Sequence, residues 1–309
     1  MNFMGNSLVC FVIVGNKSMR TPLNFLLLNL AVADILVGVL VLPVHVFASL
    51  YQRPRGLGGQ IFCKIISSEN ISYMCGSVSE FTLVFIAYER YQAVVHPLKV
   101  RERITKLKTL VFIVLTWIVS FGVIVSWFFW IELDEDNKCD VKPQLKNIEK
   151  STGDFLGLTS FAGSLLAMCF FYGRVLLTLR KTQLNNPIDR HQLAANRVKN
   201  RVVSMLCTVT ILFALCWGSY IVVHLLNGFD YGTPASKISW LLIVFNSSIN
   251  GFLYALFSDQ FKNKLRQVYS KCCCFERMVR DEIKMNPEPR HNNNKRISDD
   301  CGASQNTKF

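Results

Sequence analysis

The sequence predicts an all-α protein, a bundle of seven membrane-spanning helices followed by a short amphipathic eighth. Three observations predict it. The chain is 51% hydrophobic and only 18% charged over its 309 residues, whereas soluble domains average about 45–50% and about 25%. The apolar residues gather into seven blocks, most of them near the roughly 20 residues that cross about 30 Å of hydrocarbon. The basic residues alternate along the chain: 26 of the 34 Lys and Arg fall in 15–22, 90–108, 174–201 and beyond 258, and 8 in the connections between. Such hydrophobic content excludes a disordered chain. Eleven Cys in 309 residues are too sparse for a disulfide-knit secreted module. Transmembrane strands would alternate over about 10 residues, and these blocks do not.

The first block, Phe3–Gly15, is short: the 14 residues before Gly15 make only about 21 Å of helix at about 1.5 Å per residue. It lacks the basic start of a secretory leader, and the expectation is that the natural chain begins further upstream. The second, Leu23–Leu50, carries Asp34 within Leu30-Ala31-Val32-Ala33-Asp34. The third, Ile65–Val95, holds Glu69 and Glu80 and ends in Glu89-Arg90-Tyr91. The fourth, Leu110–Trp130, has no charged residue, and neither does the sixth, Val202–Leu226; soluble core helices rarely run so long uncharged. The fifth is Phe155–Leu179. The seventh, Ile238–Phe257, contains Asn246-Ser247-Ser248-Ile249-Asn250-Gly251 and Tyr254. An amphipathic helix is expected at about 258–270, closing a membrane domain over 1–274. The polar remainder, 275–309, reads as a disordered tail.

The alternation of basic residues sets orientation. By the positive-inside rule the richer group is cytoplasmic, so the amino terminus lies outside and the tail inside. The net charge of +13 thus reports topology, and nucleic acid is not the expected partner. Cys63 and Cys139 both fall outside, where they form either a disulfide or two free thiols. Cys272, Cys273 and Cys274 follow the amphipathic stretch on the cytoplasmic side, where palmitoylation is expected. No internal repeat suggests a transporter, and no Walker, Gly-x-Ser-x-Gly or His-rich motif suggests an enzyme.

The motifs, in order, resemble the rhodopsin-like (class A) G-protein-coupled receptors. Gly5-Asn6, Leu30-Ala31-Val32-Ala33-Asp34, Glu89-Arg90-Tyr91 with Pro97-Leu98, Trp117, Tyr172, Phe213 with Cys216-Trp217, and Asn250 to Tyr254 followed by Phe261 each stand on the expected element. The resemblance covers Gly5 to about Cys274. It implies a plasma-membrane receptor without catalytic residues, its partners an extracellular ligand, a heterotrimeric G protein, arrestin and membrane lipid. It implies a sodium pocket of Asp34, Ser79, Trp217, Asn246 and Asn250, with sodium as an allosteric ion. It implies a G-protein coupling switch of Glu89, Arg90, Tyr91, Tyr172 and Tyr254, and a ligand pocket of Ser72, Tyr73, Gly76, Trp217, Tyr220, His224 and Trp240.

Departures from the family pattern are equally specific. Gly251, Ser219 and Ser164 stand where the family has proline, removing three usual causes of helix kinks. Cys63 lies 27 residues before Arg90, two more than the family spacing, so the helix top is offset or the disulfide register is altered. Lys199 replaces a frequent acidic partner of the arginine. Ser72 replaces the amine-binding Asp and Val244 the retinal-binding Lys. A neuropeptide or small uncharged ligand is therefore favoured over a monoamine or retinal, and the acidic segment Glu132, Asp134, Glu135, Asp136 and Asp140 suits a basic peptide. The alternative is a degenerate, non-signalling seven-span receptor.

Overall fold

In a computed structural model, residues 2–45, 54–97, 104–133, 139–185, 190–227, 233–257 and 261–267 are described. The compact unit Met1–Ser258 contains helices α1 (Asn2–Gly15), α2 (Pro22–His45), α3 (Gly56–Phe62), α4 (Asn70–Val95), α5 (Lys106–Trp130), α6 (Lys146–Asn185), α7 (Arg190–Asn227) and α8 (Pro234–Phe257). A second unit, Asp259–Phe309, contains α9 at 261–267, inside the interval expected for the amphipathic helix. Among the described residues, five stretches are long and apolar enough to cross a membrane: Pro22–Val41, Gly56–Val95, Lys106–Trp130, Phe155–Lys181 and Asn200–Leu226. Of the other two expected spans, α1 is a shorter apolar helix, and α8 breaks its apolar run with Asn246, Ser247, Ser248 and Asn250.

Local chemistry starts these helices where it should. Pro22 opens α2, its missing N–H falling among donors that have no helical partner anyway. The Thr21 hydroxyl accepts from the Asn24 N–H at 3.3 Å. Thr105 caps α5 by accepting from the Lys108 N–H at 3.3 Å, which satisfies one orphaned donor of the first turn. Helices α6 and α7 run 40 and 38 residues, longer than the apolar blocks inside them, because polar flanks continue the helical turn beyond the apolar stretch.

The third expected span is not continuous. A π turn over Cys63–Ser67 follows α3, and Glu69 adopts a left-handed backbone with φ 58° before α4 begins. The break lies between Cys63 and Arg90, the interval that carries the two-residue excess. Cys63 is bonded to Cys139 with their Cα atoms 5.6 Å apart, inside the usual disulfide range. Cys139 belongs to the one departure from an all-helical chain among the described residues, an antiparallel ribbon pairing β1 (Ile131–Leu133) with β2 (Cys139–Val141).

Helix α4 is central, packing on α2, α5 and α6, while α8 packs on α1, α2 and α7. A clasp ties three of them: the Trp117 indole N–H donates to Asn29 Oδ1 at 2.9 Å, and Asn29 Nδ2 donates to the Thr82 hydroxyl at 2.9 Å. The bundle is apolar outside, and its interior combines an apolar core with buried polar groups. Leu115, Ile118, Leu166, Leu215 and Leu241 are more than half exposed, whereas Asn6, Asp34, Ser79, Thr82, Asn246 and Asn250 are buried. A helix in lipid places its polar groups against its neighbours, since hydrocarbon offers them no partners.

Candidate functional site

Two helical faces build a cavity. Tyr73, Gly76 and Glu80 recur at i, i+3 and i+7 on α4, and Trp217, Tyr220 and His224 do the same on α7, so each set shares one face. Together with α5 and α6 they enclose about 490 Å³, the size of a small-molecule site. The hydroxyls of Tyr73 and Tyr220 are hydrogen-bonded across it. The Tyr220 and His224 rings stack, with centroids 6.0 Å apart and planes at 3°, and Trp217 meets Tyr220 edge-on at 6.3 Å. The Trp217 ring lies directly over Gly76, where a β-carbon would overlap it.

Of the residues expected to face a ligand, Tyr73, Gly76, Trp217, Tyr220 and His224 line this cavity. Ser72 and Trp240 do not. One residue is about 100° of helical turn, which carries the Ser72 side chain off the face shared by Tyr73 and Gly76, and it is buried. Trp240 stands behind the wall, its ring 5.8 Å from Tyr73 and 5.3 Å from Tyr220, in an apolar cluster with Val37, Val41, Cys75, Val78 and Ile243. The lining also includes Glu80, Ser160, Phe161 and Phe213, none of them expected there. Glu80 adds a carboxyl group to a lining whose expected members include none. The signal was available: Glu80 is seven residues beyond Tyr73, hence on the same face, and it is an ionisable group in a span.

A polar core lies where α1, α2 and α8 meet. Asn250 Nδ2 donates to Asp34 Oδ2 at 2.7 Å, and the Ser247 hydroxyl also bonds this carboxylate. Asn6 Nδ2 donates to the Ser247 carbonyl at 2.7 Å and to Asn2 Oδ1 at 3.1 Å. Asn2 Nδ2 in turn donates to the Asp34 carbonyl at 2.9 Å. The Ser79 Oγ, Asn246 Oδ1 and Asn250 Oδ1 atoms are buried without hydrogen-bond partners. A buried unpaired oxygen is costly, and oxygen donors of this kind suit a hard cation. Trp217, expected in this group, packs instead on the cluster containing Ala33 and Val78, the chain neighbours of Asp34 and Ser79.

The positions without proline have other occupations. Gly251 lies so close to α1 that a β-carbon there would sit 2.5 Å from the Gly5 carbonyl carbon. The Ser219 hydroxyl donates to the Cys216 carbonyl at 2.7 Å, a back-bond that bends helices. Ser164 hydrogen-bonds Glu80.

At the far end of α4, Arg90 pairs with its neighbour Glu89. Tyr91 packs on Phe171 with centroids 5.5 Å apart, and its hydroxyl is 3.1 Å from His96 Nε2. Tyr172 and Tyr254 are buried. The Lys199 side chain, most of the acidic segment, the tail, and Cys272, Cys273 and Cys274 lie outside the described residues.

A family profile described as 7 transmembrane receptor (rhodopsin family) matches residues 5–254. A QRFP-like peptide receptor of Branchiostoma floridae is 29% identical over 280 residues, covering 84% of this chain and 72% of the relative. Neuropeptide FF receptor 2 of Mus musculus is 26% identical over 302 residues, covering 87% and 70%. The histamine H2 receptor of Cavia porcellus is 28% identical over 280 residues, covering 87% and 76%.

Proposed function

Because this chain belongs to the rhodopsin family of seven-transmembrane receptors, a multi-pass plasma-membrane receptor and not an enzyme, we propose that it carries an extracellular ligand signal to a heterotrimeric G protein. In this reading the Cys63–Cys139 end faces outside and the Arg90 end the cytoplasm, in accord with the distribution of basic residues. The ligand is of the neuropeptide class, as the names of two relatives suggest. The observation that carries the proposal is the placement of Trp217. It lines the cavity, lies over Gly76 of α4, and packs on the cluster next to Asp34. A ligand that shifts this ring changes the packing of α7 on α4, and a ligand acts only through such a difference in contacts between states.

Arg90 is the output group of this mechanism. Its described ionic partner is the adjacent Glu89. Release from Glu89 frees a guanidinium whose planar donors suit a partner's carbonyls and carboxylates. Transfected cells reporting nucleotide exchange on G proteins test the reading. Basal or ligand-evoked exchange is expected in the wild type and a drop of at least about tenfold, roughly 1.4 kcal/mol of coupling, in Arg90→Ala at equal surface expression. Equal output from the two would overturn it and favour a non-signalling receptor.

Asp34, Ser79, Asn246 and Asn250 would hold a sodium ion in the same scheme, coupling ion occupancy to ligand affinity by linkage. At ten times its dissociation constant a bound ion adds about 1.4 kcal/mol of stability. Sodium, compared with potassium at equal ionic strength, is therefore expected to raise the melting temperature of the purified receptor by about 3 to 5 °C. The increment should vanish in Asp34→Ala. An equal response to the two cations removes the ion from the scheme.

A further inference from the structure

We propose that the cavity receives a compact cationic group of its ligand, an ammonium, amidinium or guanidinium, which pairs with the Glu80 carboxylate. The proposal rests on the receptor reading only in treating the occupant as a ligand from solution. Glu80 is 8% exposed and lines the cavity. It lies ten residues along α4 from Asn70, about 15 Å at 1.5 Å per residue, and so deep in the membrane-spanning part. A carboxylate at such depth costs a helix roughly 2.5–3.5 kcal/mol on insertion scales.

Its partners do not offset that charge. Ser160 donates to Oε1 at 3.0 Å, and Ser164 also donates. Both are neutral hydroxyls on α6. Among the described residues no basic side chain reaches Glu80. A carboxyl group held by two neutral hydroxyls at a cavity wall can take a cation. The rest of the lining agrees: Phe161, Phe213 and Trp217 present rings whose faces attract a desolvated cation, and the enclosed setting strengthens the attraction beyond its value in water. The bland reading is that Glu80 is a neutral acid tying α4 to α6 through the two serines. Glu80→Gln separates the two, since the amide carbonyl still accepts from a serine but carries no charge.

The cation is either a small amine-type molecule or the basic end of a peptide, and matched probes distinguish them. Purified full-length chain in micelles is melted with phenethylguanidine and its neutral isostere phenethylurea, and with N-acetyl-phenylalanyl-arginine amide and its citrulline counterpart. The cationic member of at least one pair is expected to half-saturate at a concentration at least tenfold below its neutral twin. In Glu80→Gln the two should come within about twofold. The pair that shows the preference names the source. Should Glu80→Gln fail to fold, Glu80→Asp retains the charge one methylene short, and the cation preference should persist at weaker affinity. No preference in either pair on the wild type, a preference that survives in Glu80→Gln, or an unchanged affinity in Glu80→Asp overturns the proposal. Because no G protein enters the assay, loss of coupling and loss of cation recognition remain separable results.

Discussion

Gly251→Pro, which installs the residue that the family carries at this position, is expected to abolish folding of this receptor. A β-carbon on residue 251 would lie 2.5 Å from the Gly5 carbonyl carbon and 2.7 Å from its oxygen. Neither atom is a side-chain end that can rotate away, so α1 as a whole must retreat from α8. That retreat pulls on the Asn6 to Ser247 and Asn2 to Asp34 hydrogen bonds, and with them on the polar core. Overpacking of this kind costs about 1–3 kcal/mol. Gly251→Ala alone should lower the melting temperature by about 3 to 10 °C. Proline adds the loss of a helical N–H donor and a ring clash, about 3 kcal/mol more. Surface expression and thermal melting in micelles read the result. A Gly251→Pro variant that reaches the surface and melts like the wild type would falsify the close contact of α1 with α8.

Gly76→Ala is expected to raise basal G-protein exchange without any ligand. The added methyl group occupies the space of the Trp217 ring, and an indole is too rigid to yield except by turning about its side-chain bonds. Trp217 also packs against the cluster beside Asp34, so the turn reaches the polar core. A shift of about 1 kcal/mol between two arrangements changes their ratio about fivefold, and a basal signal several times that of the wild type is the expected size. Trp217→Leu removes the obstructing ring, and adding Gly76→Ala to it should then change nothing further. Such non-additivity is the signature of residues in contact. Additive effects of the two substitutions would separate Gly76 from Trp217.

Much of the fold is legible in one dimension. The uncharged runs within α5 and α7 announce membrane crossings because hydrocarbon penalises each charge wherever the chain places it. Thr105 and Pro22 mark helix starts by chemistry confined to one turn. The break at Glu69 is different. Ile65-Ile66-Ser67-Ser68-Glu69-Asn70 contains neither Pro nor Gly, and only the long spacing from Cys63 to Arg90 hints at it. Tertiary context decides there: Cys63 must meet Cys139 on the ribbon while α4 keeps its packing on α2 and α6.

The candidate site divides along the same line. The aromatic residues of the cavity and the oxygens near Asp34 were readable as residue types on spans. Which of them share a surface was not. Ser72 turned away from the cavity and Glu80 turned into it, although both lie within two helical turns of residues that were correctly expected on the wall, and Trp240 stands behind that wall on α8. The amino-acid sequence by itself determined that this chain crosses the membrane as a helical bundle, since hydropathy and charge act on each segment independently of its partners. Only the tertiary structure decided what the interior can bind. The rotation and approach of each helix are set by contacts such as Gly5 with Gly251 and Trp217 with Gly76, between residues 246 and 141 positions apart in the chain, and no local property of a segment encodes such a contact.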